Sequence, residues 1–186
     1  MNNKSETAPQ KVQKALLELK KEYPFEHISV AAICRKANVS RTAFYRYYSK
    51  PEDVLNELIQ EVLSQSESYR DEIVAQISGD DKRKKAPICE FLRSHKEYMP
   101  IFSDDVLLHI VIRTIVQAQK DSFFELIRGK SRLSEYQAEL LLYDHVSGCL
   151  AAINRSYSLA DEDWKQVRNY IDKSISNIQK DILKGE

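Results

Sequence analysis

Apolar residues recur every three or four positions through most of the 186-residue chain, and no stretch shows the strict apolar–polar alternation of a half-buried strand. The pattern predicts an all-α protein. Val12, Ala15, Leu16 and Leu19 mark a first helix from about Thr7 to Tyr23, closed by Pro24. Ser29 is a cap residue ahead of Val30, Ile33, Cys34 and Ala37, whose spacing gives a short second helix with one inward face. Asn38 tolerates the left-handed backbone of a tight turn, Val39 plugs the corner, and Ser40 caps a third helix that turns Phe44 and Tyr48 inward.

Pro51 suits the first turn of a fourth helix, followed by Glu52 and Asp53 at its positive end. Its apolar positions run from Leu55, Leu58, Ile59 and Val62 to Tyr69, Ile73 and Ile77, a semi-rigid connecting rod, and residues 78–85 (SGDDKRKK) read as an exposed loop. A helix over 88–102 should stop near Pro100. A long one should begin at Asp104 and Asp105, apolar except for a stripe of His109, Arg113, Gln117 and Lys120. Two more are expected from about Ser134 to Tyr157 and Asp161 to Ile182. The expected organisation is a head over residues 1–50 and a helical regulatory and dimerisation region over 51–186, with 51–77 as its connecting helix.

The third helix carries the chemistry. Thr42, Ala43 and Arg46 point outward, and Tyr45 and Tyr47 flank that face, where a hydroxyl on a rigid ring reaches phosphates on either wall of a major groove. No carboxylate interrupts Ser40 to Pro51. Caps, turn, inward stripe and carboxylate-free outer face together read as a helix-turn-helix that binds double-stranded DNA, against the plainer alternative of a solvated surface hairpin. Charge supports this: the formal net charge is zero, but residues 1–55 hold ten Lys or Arg against six Asp or Glu and the remainder eighteen against twenty-two. A basic head with an acidic remainder favours an oriented encounter with a polyanion.

Other chemistries find little purchase. The three cysteines have no C-x-x-C spacing, so neither a disulfide framework nor a zinc site is suggested. His145 and Cys149, four apart, could share a metal with His95 or His109, but pairs at helical spacing arise often by chance. No phosphate-cradling glycine loop, nucleophile elbow or carboxylate pair occurs. The expectation is a protein that is not an enzyme, with no cofactor and no metal. It has no apolar run near the roughly 20 residues of a membrane span, and it is expected to be soluble and cytoplasmic.

In the body, Phe91, Tyr98, Phe102, Phe123 and Tyr143 could line a small-molecule cavity with His109, Arg113 or His145 as polar anchors; an ordinary packed core explains them equally well. Ser147, Gly148, Ala151 and Ala152 would let another helix approach closely. Trp164, Val167, Ile171, Ile175, Ile178 and Ile182 form a single seam. Both helices suit half of an antiparallel four-helix dimer interface, the alternative being that they pack within one protomer.

The segment from about Val12 to Leu63, and ANVSRTAFYRYYSKPEDVL most specifically, resembles the TetR family of bacterial regulators. That resemblance implies a homodimer whose recognition helices enter successive major grooves of a palindromic operator, with a C-terminal region that dimerises and often holds an inducer. By motif position it puts Arg41, Thr42, Ala43 and Arg46 toward bases and Ser40, Tyr45 and Tyr47 toward phosphates, with Ser29 and Lys50 as further DNA contacts. Three features depart from the family pattern: Asn38 replaces the usual turn glycine, Pro51 the usual lysine, and Ala31 and Ala32 stand where base contacts are sometimes made. The run Tyr23 to Val30 resembles a subset from low-GC Gram-positive bacteria, some of whose members look like activators. The implied function is therefore a repressor released by a small-molecule inducer, with a ligand-independent activator or a dimeric protein–protein adaptor as the alternative.

Overall fold

The computed structural model describes residues 6–66, 88–128, 131–156 and 158–184. Helix α1 spans Ala8–Lys20. The Thr7 hydroxyl accepts from the Gln10 N–H, and the Gln10 side chain accepts from the Thr7 N–H at 2.9 Å, so two otherwise orphaned donors are satisfied at its start. The helix ends three residues before Tyr23, because the N–H groups of Glu22 and Tyr23 both turn back to the Leu19 carbonyl. Helices α2 (Val30–Ala37) and α3 (Arg41–Tyr45) follow a single 3-10 turn at Phe25–His27.

Helix α4 runs over Pro51–Gln65, its first turn fixed by the Asp53 carboxylate, which accepts from the N–H groups of Ser49 and Lys50 at 2.7 and 3.1 Å. The expected continuation through Tyr69, Ile73 and Ile77 and the loop at 78–85 lie outside the described residues.

The expected helix over 88–102 is broken into three pieces: α5 (Ile88–Ser94), a 3-10 turn at Lys96–Tyr98 and α6 (Met99–Phe102). Pro100 sits inside the first turn of α6 rather than ending a helix, a position where its missing N–H costs nothing. Helix α7 spans Leu108–Ile127, starting later than Asp104 because the Asp104 carboxylate accepts from the N–H groups of Val106 and Leu107, both at 2.9 Å, and so organises a preceding turn. Helices α8 (Glu135–Ser156) and α9 (Asp161–Lys184) complete the chain. Among the described residues no strand forms, and no helix is long and apolar enough to cross a membrane.

Helix α1 packs on α2, α3 and α4. Helix α4 lies in turn against α5 and α7, and α7 and α8 pack along each other. One apolar cluster joins these layers, from Val12 and Leu16 through Phe44, Leu55, Leu58 and Ile59 to Phe102, Val111, Leu142 and Trp164. Burial of so many large side chains, each worth about 1.5–3 kcal/mol, holds α1–α3 as a rigid support for whatever α3 displays.

Candidate nucleic-acid interface

Two capped helices and one strained residue build the corner. The Ser29 hydroxyl accepts from the Ala32 N–H at 3.2 Å and starts α2, while the Ser40 hydroxyl accepts from the Ala43 N–H at 3.1 Å and starts α3. Between them Asn38 adopts φ 52° and ψ 48°, the left-handed conformation that reverses the chain in one residue. The Val39 N–H then reaches back to the Cys34 carbonyl at 3.0 Å. Ile33, Cys34 and Ala37 are buried on the inner face of α2, with Val30 and Val39 packed half-buried against the same core.

Helix α3 is anchored by Phe44, which is fully buried, and by Tyr48, whose ring lies 5.5 Å from that of Phe44. Their burial turns the other face out. Arg41, Thr42, Arg46 and Lys50 are exposed; Tyr45 and Tyr47 are 57% and 53% exposed, large values for aromatic rings. Ala43 is half-buried at the foot of that face. Tyr45 meets Phe44 edge-on at 5.6 Å, which steadies its ring while leaving the hydroxyl outward. Regular helix ends at Tyr45, but Arg46 keeps helical angles (φ −68°, ψ −29°), so its side chain continues the register of Thr42. Ser29 and Ser40 are exposed too, and their hydroxyl protons stay available to an acceptor while their oxygens cap the helices. Among the described residues, Arg41, Thr42, Tyr45, Arg46, Tyr47 and Lys50 thus form a cationic and hydroxyl-bearing ridge with no carboxylate.

The body distributes its expected residues differently. Phe91, Tyr98 and Phe102 are buried, Phe91 stacked on His95 at 4.0 Å and 6.0 Å from Tyr98. Burial and the neighbouring Glu61 carboxylate push the Tyr98 hydroxyl up to about 12. Tyr143 and His145 are half-buried on α8. His109 and Arg113 are exposed, while α7 packs through Val111, Ile115, Val116, Phe123 and Ile127. An open cavity of about 210 Å³ lies beside α7 and α8, lined by Lys120, Asp121, Phe124, Glu125, Glu135 and Glu139.

His145 Nε2 lies 3.5 Å from Cys149 Sγ, yet no group of three His, Cys, Asp or Glu able to hold a metal occurs among the described residues. Burial, with the charge of Arg168, pushes His145 down to about 3, so the ring is neutral.

On α8, Gly148 and Ala151 are exposed and Ser147 and Ala152 half-buried, in line with exposed Tyr136 and Leu140. On α9, Trp164 is buried within the protomer beneath the Arg93 guanidinium, 5.0 Å from its ring. Val167 and Ile171 are half-buried, and the side chains of Ile175 and Ile178 lie outside the described residues.

Contacts between distant segments of the chain were not legible in the pattern. Arg93 on α5 donates to the carbonyls of Ser156 (2.8 Å) and Leu159 (3.1 Å) and pairs with Asp161, binding α5 to the α8–α9 turn. Buried Arg168 donates to the Cys89 sulfur from a position one helical turn beyond Trp164, a register that marks it as inward-facing.

Residues 14–58 match the family model described as bacterial regulatory proteins, tetR family. A solved structure, the TetR family repressor AlkX from Dietzia sp. strain DQ12-45-1b, implicated in biodegradation of n-alkanes, is similar over 95% of this chain and 97% of its own, at 13% identity and a TM-score of 0.49. No curated protein matches the sequence. The matched segment contains α2, the Asn38 turn and α3 in full, with the second half of α1 and the first half of α4, so the head over residues 14–58 is a helix-turn-helix similar to that of the tetR family of bacterial regulatory proteins.

Proposed function

We propose that the protein is a sequence-specific transcriptional repressor that binds a palindromic operator as a homodimer and is released by a small-molecule inducer. The observation that carries this reading is the carboxylate-free ridge of α3, held outward by the buried Phe44 and Tyr48. Arg41, Thr42, Ala43 and Arg46 are assigned to base edges. Arg46, with a planar fork of donors, suits the two acceptors of a guanine, a contact worth about 1–3 kcal/mol of discrimination. Ser29, Ser40, Tyr45, Tyr47 and Lys50 are assigned to phosphates, which fix register without reading sequence.

The division into a DNA-binding head (1–50) and a regulatory and dimerisation region (51–186) follows from these roles, as does a cytoplasmic location. One short recognition helix covers one half-site, so a second copy is needed for a palindrome. Exposed Tyr136, Leu140, Gly148 and Ala151 on α8 supply a surface for it, joined by the outer face of α9. An inducer would open the packed rings of Phe91, Tyr98 and Phe102 near α8, and it acts only by preferring the conformation that does not fit the operator.

Arg46→Ala and Tyr45→Ala test the assignment together. Arg46→Ala should lower affinity for the preferred sequence by about 10–100-fold and flatten the preference at one position per half-site. Tyr45→Ala should weaken all sequences alike. Equal, sequence-independent losses from both would refute the division of roles.

A further inference from the structure

The last residue of α1 is joined by an ion pair to the turn that precedes the long body helix. Lys20 Nζ lies 2.5 Å from Asp104 Oδ2, with the two side chains only 8% and 19% exposed. The same carboxylate accepts from the N–H groups of Val106 and Leu107, both 2.9 Å away, in the turn that leads into α7. Burial pushes the Asp104 carboxyl up, but its hydrogen bonds to Lys20, Leu107 and Val106 and the charge of Lys20 outweigh this and hold it below its ordinary value. One side chain therefore organises the entry to α7 and grips the head across 84 positions of sequence. Helix α1 also packs on α6, which immediately precedes Asp104.

An ammonium this buried tolerates little displacement from its counter-ion, since separation leaves both charges poorly solvated. We propose that the Lys20–Asp104 pair is the latch that fixes the tilt of the head on the body, and so the separation of the two recognition helices in the dimer. A shift of the α6–α7 junction carries Asp104 with it and either drags α1 or breaks the pair; both change the half-site spacing the dimer accepts. This inference rests on the reading of the protein as a dimeric operator-binding regulator and names how that site is controlled.

The test uses the full-length protein, a palindrome selected by it from random duplexes, and versions of that palindrome with one base pair added or removed between half-sites. Lys20→Met/Asp104→Asn removes both charges while leaving the Asn oxygen to accept from Val106 and Leu107; Lys20→Arg keeps the pair. The latch predicts that the double variant loses about tenfold of the wild-type discrimination between spacings, within the usual range of coupling between sites. Its melting temperature and its affinity for an isolated half-site should stay at the wild-type values, and Lys20→Arg should discriminate as the wild type does. Wild-type discrimination in the double variant would overturn the latch alone. So would a loss that falls equally on the isolated half-site and follows a lowered melting temperature, the mark of a purely structural pair. Failure of the wild-type protein to select any palindrome would overturn the regulator reading, and the latch with it.

Discussion

His145 makes the stability of the body depend on pH. Its imidazole sits on α8 with Nε2 3.5 Å from the Cys149 sulfur, and burial together with the charge of Arg168 pushes it from 6.5 to about 3. The folded protein therefore keeps this ring neutral at pH values where the unfolded chain has already protonated it. Between those two values the unfolded state holds the extra proton, so stability is complete above about pH 6.5 and falls as pH drops. At 1.36 kcal/mol per pH unit, acidification from pH 7 to pH 5 should remove about 2 kcal/mol, a large fraction of a typical domain's 5–15 kcal/mol. Urea unfolding of the wild type and of His145→Gln at both pH values measures this directly. The variant should lose about 2 kcal/mol less than the wild type across the interval, all other groups being common to both. Identical losses, or a ring that titrates near 6.5 by NMR in the folded protein, would refute the argument. The same neutrality bears on function: an anionic ligand near α8 would meet the charge of Arg168, not of His145.

The corner and the dimer surface yield two further expectations. Asn38→Gly should leave stability within about 0.5 kcal/mol of the wild type, whereas Asn38→Val, forced to φ 52°, should cost about 1–2 kcal/mol in urea unfolding and weaken DNA binding in proportion to the unfolded fraction. A Cβ added at Gly148 meets nothing within 4 Å in the protomer, so Gly148→Glu should leave the fold unaffected, but like charges facing each other across a two-fold interface should raise the dimer dissociation constant at least about a hundredfold in sedimentation equilibrium. A dimer undisturbed by Gly148→Glu would remove α8 from the interface.

The head was legible in the sequence because its determinants are local. Ser29, Ser40 and Asn38 act within three residues of themselves, and the spacing of Ile33, Cys34, Ala37, Phe44 and Tyr48 is enough to tell inside from outside. The body is decided by contacts between distant segments. Nothing in the run DDVLLHIV says that Asp104 spends its carboxylate on a turn and on Lys20, and so delays the helix to Leu108. The polar stripe of α7 is readable, but whether His109 and Arg113 face a cavity or solvent depends on which helices cover α7, which periodicity does not encode. Trp164 likewise belongs to a seam by spacing, while its burial under Arg93 is settled by α5, about 70 residues away.

Selection of bound sequences from a random duplex library by the purified protein, at physiological salt, tests the central claim most directly, because phosphate contacts alone give salt-sensitive binding without sequence preference. The account predicts enrichment of a palindrome whose half-sites lie about one helical turn, roughly 10 base pairs, or a multiple of it apart. A folded, dimeric protein that enriches no sequence would contradict it.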